Sequence, residues 1–291
     1  MQQVHCPVCH QGPLASYDVQ TWYISGMETK LIQCLSCHSI FTSPKPSDDV
    51  LKELYRKSFD FRWYRDHYDA KLRDCRARIQ ECGAHMGKRV LDFGGGVGYF
   101  PKAASEAGLE SITYDPYVNA AIPAKGHWDC VVALHVLEHS NDLDHTISQI
   151  KSFLAPGGSV IFAVPNASGL GYQKLGMRWV WAQPPLVHLF HFTAAGLQAL
   201  LTRHGFDRLE ASYHDRWDAN YHADVLHSGR QRLLDSLWGL KPLNRFGPYR
   251  RLIATVVSAL RRRSLNQSNK AQIPEADRAE LLIIARKCAV K

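Results

Sequence analysis

Two pairs of cysteines near the N-terminus have the spacing of a metal site. Cys6 and Cys9 form CPVC, Cys34 and Cys37 form CLSC, and 24 residues separate the pairs. Each CxxC turn presents two thiolates on one side, and two such turns complete the tetrahedron that Zn²⁺ prefers. Four sulfur ligands leave no open position, so we expect a structural zinc ion that holds a small ribbon over residues 1–45. Redox-active pairs are the alternative, but no βαβ pattern surrounds them.

A glycine-rich turn with a flanking carboxylate predicts a nucleotide site. The sequence RVLDFGGGVGYF, residues 89–100, reads as a strand, a turn and a helix, with Asp92 where the strand ends and glycines at Gly94, Gly95, Gly96 and Gly98. Glycine permits positive φ and lets the backbone approach a ligand closely. Asp115 ends the next predicted strand, 109–114, where a carboxylate can accept hydrogen bonds from both hydroxyls of a ribose. No GKS or GKT follows the turn, which excludes a P-loop.

Histidines follow two later predicted strands and are candidates for proton transfer. His135 and His139 come after the strand 128–134, and His188 and His191 after the next strand. A neutral imidazole can accept a proton near pH 7. His139 has a plain alternative role, in which it caps a helix or holds its loop through a backbone hydrogen bond. The HxxEH spacing of His135, Glu138 and His139 also occurs in inverted zinc proteases, but there it requires one continuous helix, and here a strand precedes it.

The elements that position these residues alternate between strand and helix. Apolar residues at helical spacing end at LAPGG, residues 154–158, and strands are predicted at 159–164 and 281–285. The pattern predicts an α/β fold, with a helical linker or cap at 46–87 and a Rossmann-like domain at 88–291. Of the 291 residues, 45% are hydrophobic and 21% are charged, which excludes wholesale disorder and coiled coil. No apolar stretch is long enough for a transmembrane segment.

The net charge of +8 is concentrated near the C-terminus. Residues 211–291 contain fifteen Lys and Arg against seven Asp and Glu. This part includes an expected basic helical insertion, 214–277, in which residues 245–263 could contact a membrane surface, a phosphate group or a second copy of the chain. A solvated helical face is the alternative. The N-terminus carries no secretory signal pattern, so we expect a cytoplasmic protein whose cysteines are not disulfide-bonded.

These motifs occur in the order of a known family. The chain resembles the class I S-adenosylmethionine-dependent methyltransferases, in particular the subgroup with an N-terminal zinc ribbon, on VLDFGGGVG, WDCVVALHVLEH, LAPGG and VHLFHFT. The resemblance implies that S-adenosylmethionine binds with its methionine part along Gly94 and Gly96, near Asp92. It further implies that Asp115 holds the ribose and that Leu134 and His135 face the cofactor. By the same resemblance, His188 is the first candidate for the catalytic base, and His139 is the second.

The sequence departs from this family at one strand. Fourteen residues separate Asp115 from Cys130, so the usual third strand is expected to be shortened or missing. In the similar ubiquinone-pathway O-methyltransferases an ExxEH motif bears a divalent ion, and His135 replaces its first acid. Three aromatic residues before His188 could cover an acceptor or simply pack: Tyr172, Trp179 and Trp181.

The sequence is compatible with three functions. The first is methylation of a small-molecule or sugar acceptor on oxygen, nitrogen or carbon. The second is methylation of RNA, with the ribbon and the basic insertion binding the nucleic acid. The third is a binding module that keeps the cofactor fold without catalysis. The oligomeric state is not indicated by the sequence.

Overall fold

A computed structural model describes residues 5–17, 22–24, 27–58, 67–116, 118, 122–176, 179, 182, 188–214, 275 and 278–288. Its strands are β1 (Leu14–Ser16), β2 (Trp22–Ile24), β3 (Met27–Cys34), β4 (Ile40–Ser43), β5 (Arg89–Phe93), β6 (Glu110–Tyr114), β7 (Trp128–Leu134), β8 (Leu154–Pro165), β9 (Phe190–His191), β10 (Phe206–His214) and β11 (Glu280–Lys287). Its helices are α1 (Asp48–Ser58), α2 (Tyr68–Cys82), α3 (Tyr99–Glu106), α4 (Leu143–Phe153), α5 (Leu170–Leu175) and α6 (Ala194–Arg203). Short 3₁₀ turns lie at Gly83–His85 and Leu137–His139.

The larger sheet has six strands in the order β10-β11-β8-β7-β5-β6. Strands β6, β5, β7 and β8 run parallel, and β11 pairs antiparallel with both β8 and β10. The central strands are nearly continuous apolar runs because helices cover both faces of a parallel sheet. Within the described residues no strand lies between β6 and β7, as the short spacing after Asp115 predicted. The α/β Rossmann-like fold class is thereby confirmed.

A second sheet is built on the N-terminal segment, with strands in the order β1-β3-β4-β9 and with β2 paired to β3. Strand β9 belongs to the later part of the chain, and its Phe190 and His191 pair with Phe41 and Ile40. In the same region Leu31 and Ile40 pack against Tyr172 and Trp179. The N-terminal sheet therefore includes a strand from the segment that follows His188, which the sequence did not predict.

The helices begin and end where local chemistry allows it. Helix α4 begins after Asp142, whose side chain accepts the His145 N–H at 2.9 Å, and it buries Leu143, Ile147 and Ile150. The sequence places the end of this helix at LAPGG, residues 154–158, but Leu154 is already the first residue of β8 and pairs with Trp128. Helices α1 and α2 lie in the segment where a helical cap was expected.

Most of the expected basic helical insertion, 214–277, lies outside the described residues. The expected contacts of residues 245–263 lie there as well. None of the helices in the described ranges combines the length and the apolar composition that crossing a bilayer requires.

Candidate active site

The glycine turn between β5 and α3 lies at the carboxyl edge of the parallel strands. Gly94, Gly96 and Gly98 have φ of +74°, +58° and +83°, values that residues with a side chain rarely adopt. The Gly94 N–H donates to the Tyr114 carbonyl at 2.7 Å, which fixes the turn to the end of β6. A Cβ built on Gly96 would meet no atom within 4 Å. The turn therefore presents open backbone beside Gly96, as a ligand cradle requires.

Asp92 lies beneath this turn and is buried. Its Oδ2 accepts a hydrogen bond from the Thr113 hydroxyl at 2.8 Å. A Cβ on Gly95 would come within 1.7 Å of the same oxygen, so only glycine fits above the carboxyl. Burial, opposed by the Thr113 hydrogen bond and assisted by the charge of Asp115, raises the pKa of Asp92 to about 7. In the free protein this carboxyl is half-protonated near neutral pH.

Asp115 follows β6 directly and joins the two halves of the cradle. Its Oδ2 accepts the Gly96 N–H at 3.0 Å, and its Oδ1 accepts the Val118 N–H at 3.2 Å. Both oxygens of the carboxylate thus accept backbone N–H groups of the loops that border the cradle. The sequence placed Asp115 at this edge correctly, but its bond to the glycine turn could not be read from the spacing.

Leu134 is the last residue of β7, and His135 follows it at the same edge. His135 has a φ of +57°, and its N–H donates to the Ala163 carbonyl at 2.8 Å. Its two ring nitrogens lie 3.2 Å from Glu138 Oε1 and 3.2 Å from Glu280 Oε2. Burial opposes protonation, but these two carboxylates outweigh it and raise the pKa of His135 to about 9. The expectation that His135 faces the cofactor stays a prediction, and its ring is held by two carboxylates of the protein.

A chain of buried charges continues from His135. Glu280, the first residue of β11, also forms an ion pair with Arg78 of α2. Burial disfavours the charged form of Glu280, but the hydrogen bond from His135 and the charge of Arg78 lower its pKa to about 2. Neither Glu280 nor Arg78 was predicted from the sequence as a site residue. The signal available was an acid at the start of an apolar final strand, where only a paired carboxylate is tolerated.

His139 and His188 come together with Glu138. The Leu189 N–H donates to the Glu138 carbonyl at 2.7 Å, which brings the segment before β9 against the 3₁₀ turn. The rings of His139 and His188 are perpendicular, with centroids 4.5 Å apart. His188 is 7% exposed, and burial, followed by the charge of His139, lowers its pKa to about 3. The structure thus juxtaposes the two histidines that the sequence singled out, and His188 is neutral at pH 7.

The aromatic residues before His188 are packed. Tyr172 and Trp179 are buried with their rings 6.0 Å apart, and Tyr172 also contacts the His191 ring at 5.4 Å. These contacts support the packing interpretation for the two residues, and a role in covering an acceptor stays a prediction. Trp181 lies outside the described residues.

The four N-terminal cysteines converge on one another. Their Sγ atoms all lie within 4.8 Å of one another, with Cys6 to Cys37 at 3.8 Å and Cys9 to Cys34 at 3.6 Å. A tetrahedron of thiolates around Zn²⁺, with Zn–S of about 2.3 Å, has edges of about 3.8 Å. The donor set and its spacing therefore fit a structural zinc ion.

Several solved structures are similar to the chain. A SAM-dependent methyltransferase from Archaeoglobus fulgidus is 17% identical, with 78% of this chain and 100% of that chain covered and a TM-score of 0.46. The 1,6-didemethyltoxoflavin-N1-methyltransferase of Burkholderia thailandensis is 15% identical, with 94% and 99% covered and a TM-score of 0.49. Phosphoethanolamine N-methyltransferase 2 of Haemonchus contortus is 14% identical, with 94% and 72% covered and a TM-score of 0.49. Likeness at this level supports no inference about the acceptor.

Sequence relationship identifies the family. No curated protein matches the chain in sequence. Residues 64–211 match the family model described as a methyltransferase domain. The matched segment is about half of the chain and includes the glycine turn, Asp115, the 3₁₀ turn and His188. The chain therefore belongs to the methyltransferase domain family, and it is an S-adenosylmethionine-dependent methyltransferase.

Proposed function

We propose that the chain transfers a methyl group from S-adenosylmethionine to a small-molecule or sugar acceptor that binds beside His139 and His188. One observation carries the proposal. An open glycine cradle with its two carboxyl groups lies at the carboxyl edge of the parallel sheet. The partly exposed His139, in the turn that follows β7 of that sheet, adjoins the buried His188. Ligands of open α/β sheets bind outside this edge. The near-complete burial of His188 favours a compact acceptor over a polymer.

The residues of the cradle divide between the two ends of the cofactor. The backbone of the glycine turn and the Asp92 carboxyl would hold its methionine part, and Asp115 would accept hydrogen bonds from the ribose hydroxyls. Leu134 and His135 would border it on the acceptor side. The open space beside Gly96 fits such a ligand, because a methyl group there would meet no protein atom.

The histidines would remove the acceptor's proton. When bound, S-adenosylmethionine supplies a methyl group on a sulfonium sulfur, which needs no further activation. His188 would take the proton of the acceptor as its oxygen, nitrogen or carbon bonds to the methyl group. Its imidazole is neutral at pH 7 but weakly basic in the free protein, because burial lowers its pKa. His139 is the second candidate for this role, because its ring adjoins that of His188.

The cysteine cluster would hold structural Zn²⁺. Cys6, Cys9, Cys34 and Cys37 offer four sulfur ligands, and this coordination leaves no position for water or substrate. The ion would stabilise the sheet that contains β9. It would thereby support the segment of His188 without joining the chemistry.

Calorimetry with S-adenosylhomocysteine tests the cofactor, and transfer of a radiolabelled methyl group to a panel of phenols, amines and nucleotide sugars tests the acceptor class. We expect binding, and turnover that is lost in His188→Ala although this variant still binds S-adenosylhomocysteine. Absence of binding would refute the proposal. Unchanged turnover in His188→Ala would transfer the role of base to His139, and His139→Ala tests that assignment directly.

A further inference from the structure

Glu138 is a buried carboxylate that the proposed reaction does not yet use. It is 0% exposed and ends the short 3₁₀ turn together with His139. Its Oε1 lies 3.2 Å from His135 Nδ1, and its Oε2 has no hydrogen-bond partner among the described residues. A buried carboxylate oxygen without a hydrogen bond is costly, so its retention needs an explanation.

The neighbours of Glu138 suggest the explanation. One of its carboxylate oxygens, one ring nitrogen of His139 and one of His188 lie within 4.8 Å of one another. Burial disfavours the charged form of Glu138, but the His135 hydrogen bond and the charges of His139, His135 and His188 lower its pKa to about 2. The group is therefore an anion beside two imidazoles across the working pH range.

The other described titratable groups around the histidine pair are paired with one another or neutral. His135 is bound between Glu138 and Glu280, and Glu280 is also paired with Arg78. His191, whose ring centroid is 6.4 Å from that of His188, is buried, and burial lowers its pKa to about 4, so it adds no charge at pH 7. Glu138 carries its negative charge within 4.8 Å of a ring nitrogen of each histidine of the pair, so it can compensate a new positive charge there.

We propose that Glu138 is a positioning residue of the methyl transfer, which stabilises the imidazolium that forms when the histidine pair takes the acceptor's proton. This inference rests on the proposed function of that pair. In the step, the acceptor's lone pair bonds to the methyl carbon, the carbon–sulfur bond breaks with its electrons on sulfur, and the acceptor's proton moves to an imidazole nitrogen. The imidazolium then lies beside a carboxylate in a buried site, where water cannot screen the attraction.

The test is Glu138→Gln, which removes the charge and keeps an oxygen that can accept from His135. Histidine resonances, assigned with His139→Gln and His188→Gln, give the apparent pKa at which the pair takes up its first proton. We expect this pKa to fall by about 1–3 units in Glu138→Gln, because an opposite charge within about 4–6 Å shifts a pKa by that amount. Glu106→Gln, the same change on the exposed face of α3, should leave it unchanged. These measurements need no acceptor, so they remain decisive if the proposed function fails.

Two results would overturn the inference. The first is an unchanged pKa of the pair in a Glu138→Gln protein that is folded and binds S-adenosylhomocysteine as the wild type does. The second is a divalent ion bound by the protein in addition to any held by the cysteines, and lost on Glu138→Gln. That result would make the three side chains metal ligands. Where an acceptor is found, kcat should fall about tenfold or more with unchanged affinity for S-adenosylhomocysteine.

Discussion

Asp92 is the residue at which stability and ligand binding oppose each other. Its folded pKa of about 7 lies above the ordinary value near 3.9. The cost to folding is therefore absent below pH 3.9, grows between pH 3.9 and 7, and is complete above pH 7, where it amounts to as much as about 4 kcal/mol. We predict that Asp92→Asn is more stable than the wild type at pH 8 and that the two converge toward pH 4. Denaturant unfolding at several pH values measures this.

The same variant should bind the cofactor less well. If Asp92 orients the amino group of the ligand, Asp92→Asn should lower the affinity for S-adenosylhomocysteine by about tenfold or more. Hydrogen bonds to charged groups contribute about 1.5–3 kcal/mol. Asp207→Asn, an exposed position on β10, is the matched control for both measurements. A variant that is stabilised at pH 8 and binds normally would separate Asp92 from the ligand.

Gly96 offers a second test that distinguishes backbone strain from ligand contact. Gly96 and Gly108 have φ of +58° and +75°, and at both positions a Cβ would meet no atom within 4 Å. Alanine should therefore destabilise the protein by a similar amount of about 1 kcal/mol at either position. We predict that only Gly96→Ala lowers the affinity for S-adenosylhomocysteine, because only at that position would the alanine side chain occupy the cradle. Equal affinities of the two variants in calorimetry would contradict the placement of the cofactor.

The site residues differ in how much of their environment could be predicted from the sequence. The glycine turn and Asp115 were predictable because both are local signals at strand ends. The environment of His188 was not, because its segment is held against the turn at Glu138, which lies about fifty residues earlier in the chain. The charge of His135 likewise depends on Glu280, which the sequence places at the far end of an undescribed segment. Spacing carries no information about such pairs.

Among the elements, β9 connects the cysteine cluster to the histidine pair. Thr42 N–H donates to the Leu189 carbonyl at 2.9 Å, and the Thr193 hydroxyl donates to the Cys37 carbonyl at 2.6 Å. If zinc holds the cluster, its loss should loosen β9. We predict that Cys37→Ser loses zinc and that hydrogen exchange of the Leu189 and Phe190 amides accelerates.

The control for this prediction is another cysteine in the same chain. Cys75 of α2 is partly buried and is not part of the cluster, so Cys75→Ser should keep both the metal content and the exchange rates. Metal content is measured by elemental analysis. Zinc loss with unchanged exchange at Leu189 would show that the cluster and the site are independent.

The prediction of elements succeeded where one segment decides its own structure. Strand β7 was predicted with its observed bounds, since a run of buried apolar residues between polar ones is a local signal. The end of α4 was not, because Leu154 pairs with Trp128 and β8 therefore begins one residue after the helix. The pairing of β4 with β9 depends on backbone hydrogen bonds between distant segments, which no periodicity encodes.

At the scale of the whole molecule, buried charges join helix α2, strand β11 and the end of β7. Arg78, Glu280 and His135 come from three separate parts of the chain and lie in contact across the edge of the sheet. Such a network costs desolvation and is tolerated only when every charge is paired. Its pairing therefore requires the final strand, which the chain adds far beyond the glycine turn, to be in place before the site is complete.

This network should control stability in alkaline solution. The folded pKa of His135 is about 9 and the ordinary value is about 6.5. Its contribution is therefore fully present below pH 6.5 and is lost as the pH rises through 9, by an amount of a few kcal/mol. We predict that His135→Asn is less stable than the wild type at pH 6 and approaches it at pH 10. Asparagine suits the test because it tolerates the positive φ at this position.

The alkaline window also separates His135 from Asp92. Wild-type stability should fall from pH 4 to 7 through Asp92 and from pH 6.5 to 9 through His135, so each variant should flatten one half of the curve. His145→Asn, an exposed position on α4, should leave both halves as they are. If the stability of His135→Asn instead falls above pH 7 as steeply as that of the wild type, the imidazole is neutral in the folded protein. The two carboxylates that contact it would then not be paired with an imidazolium.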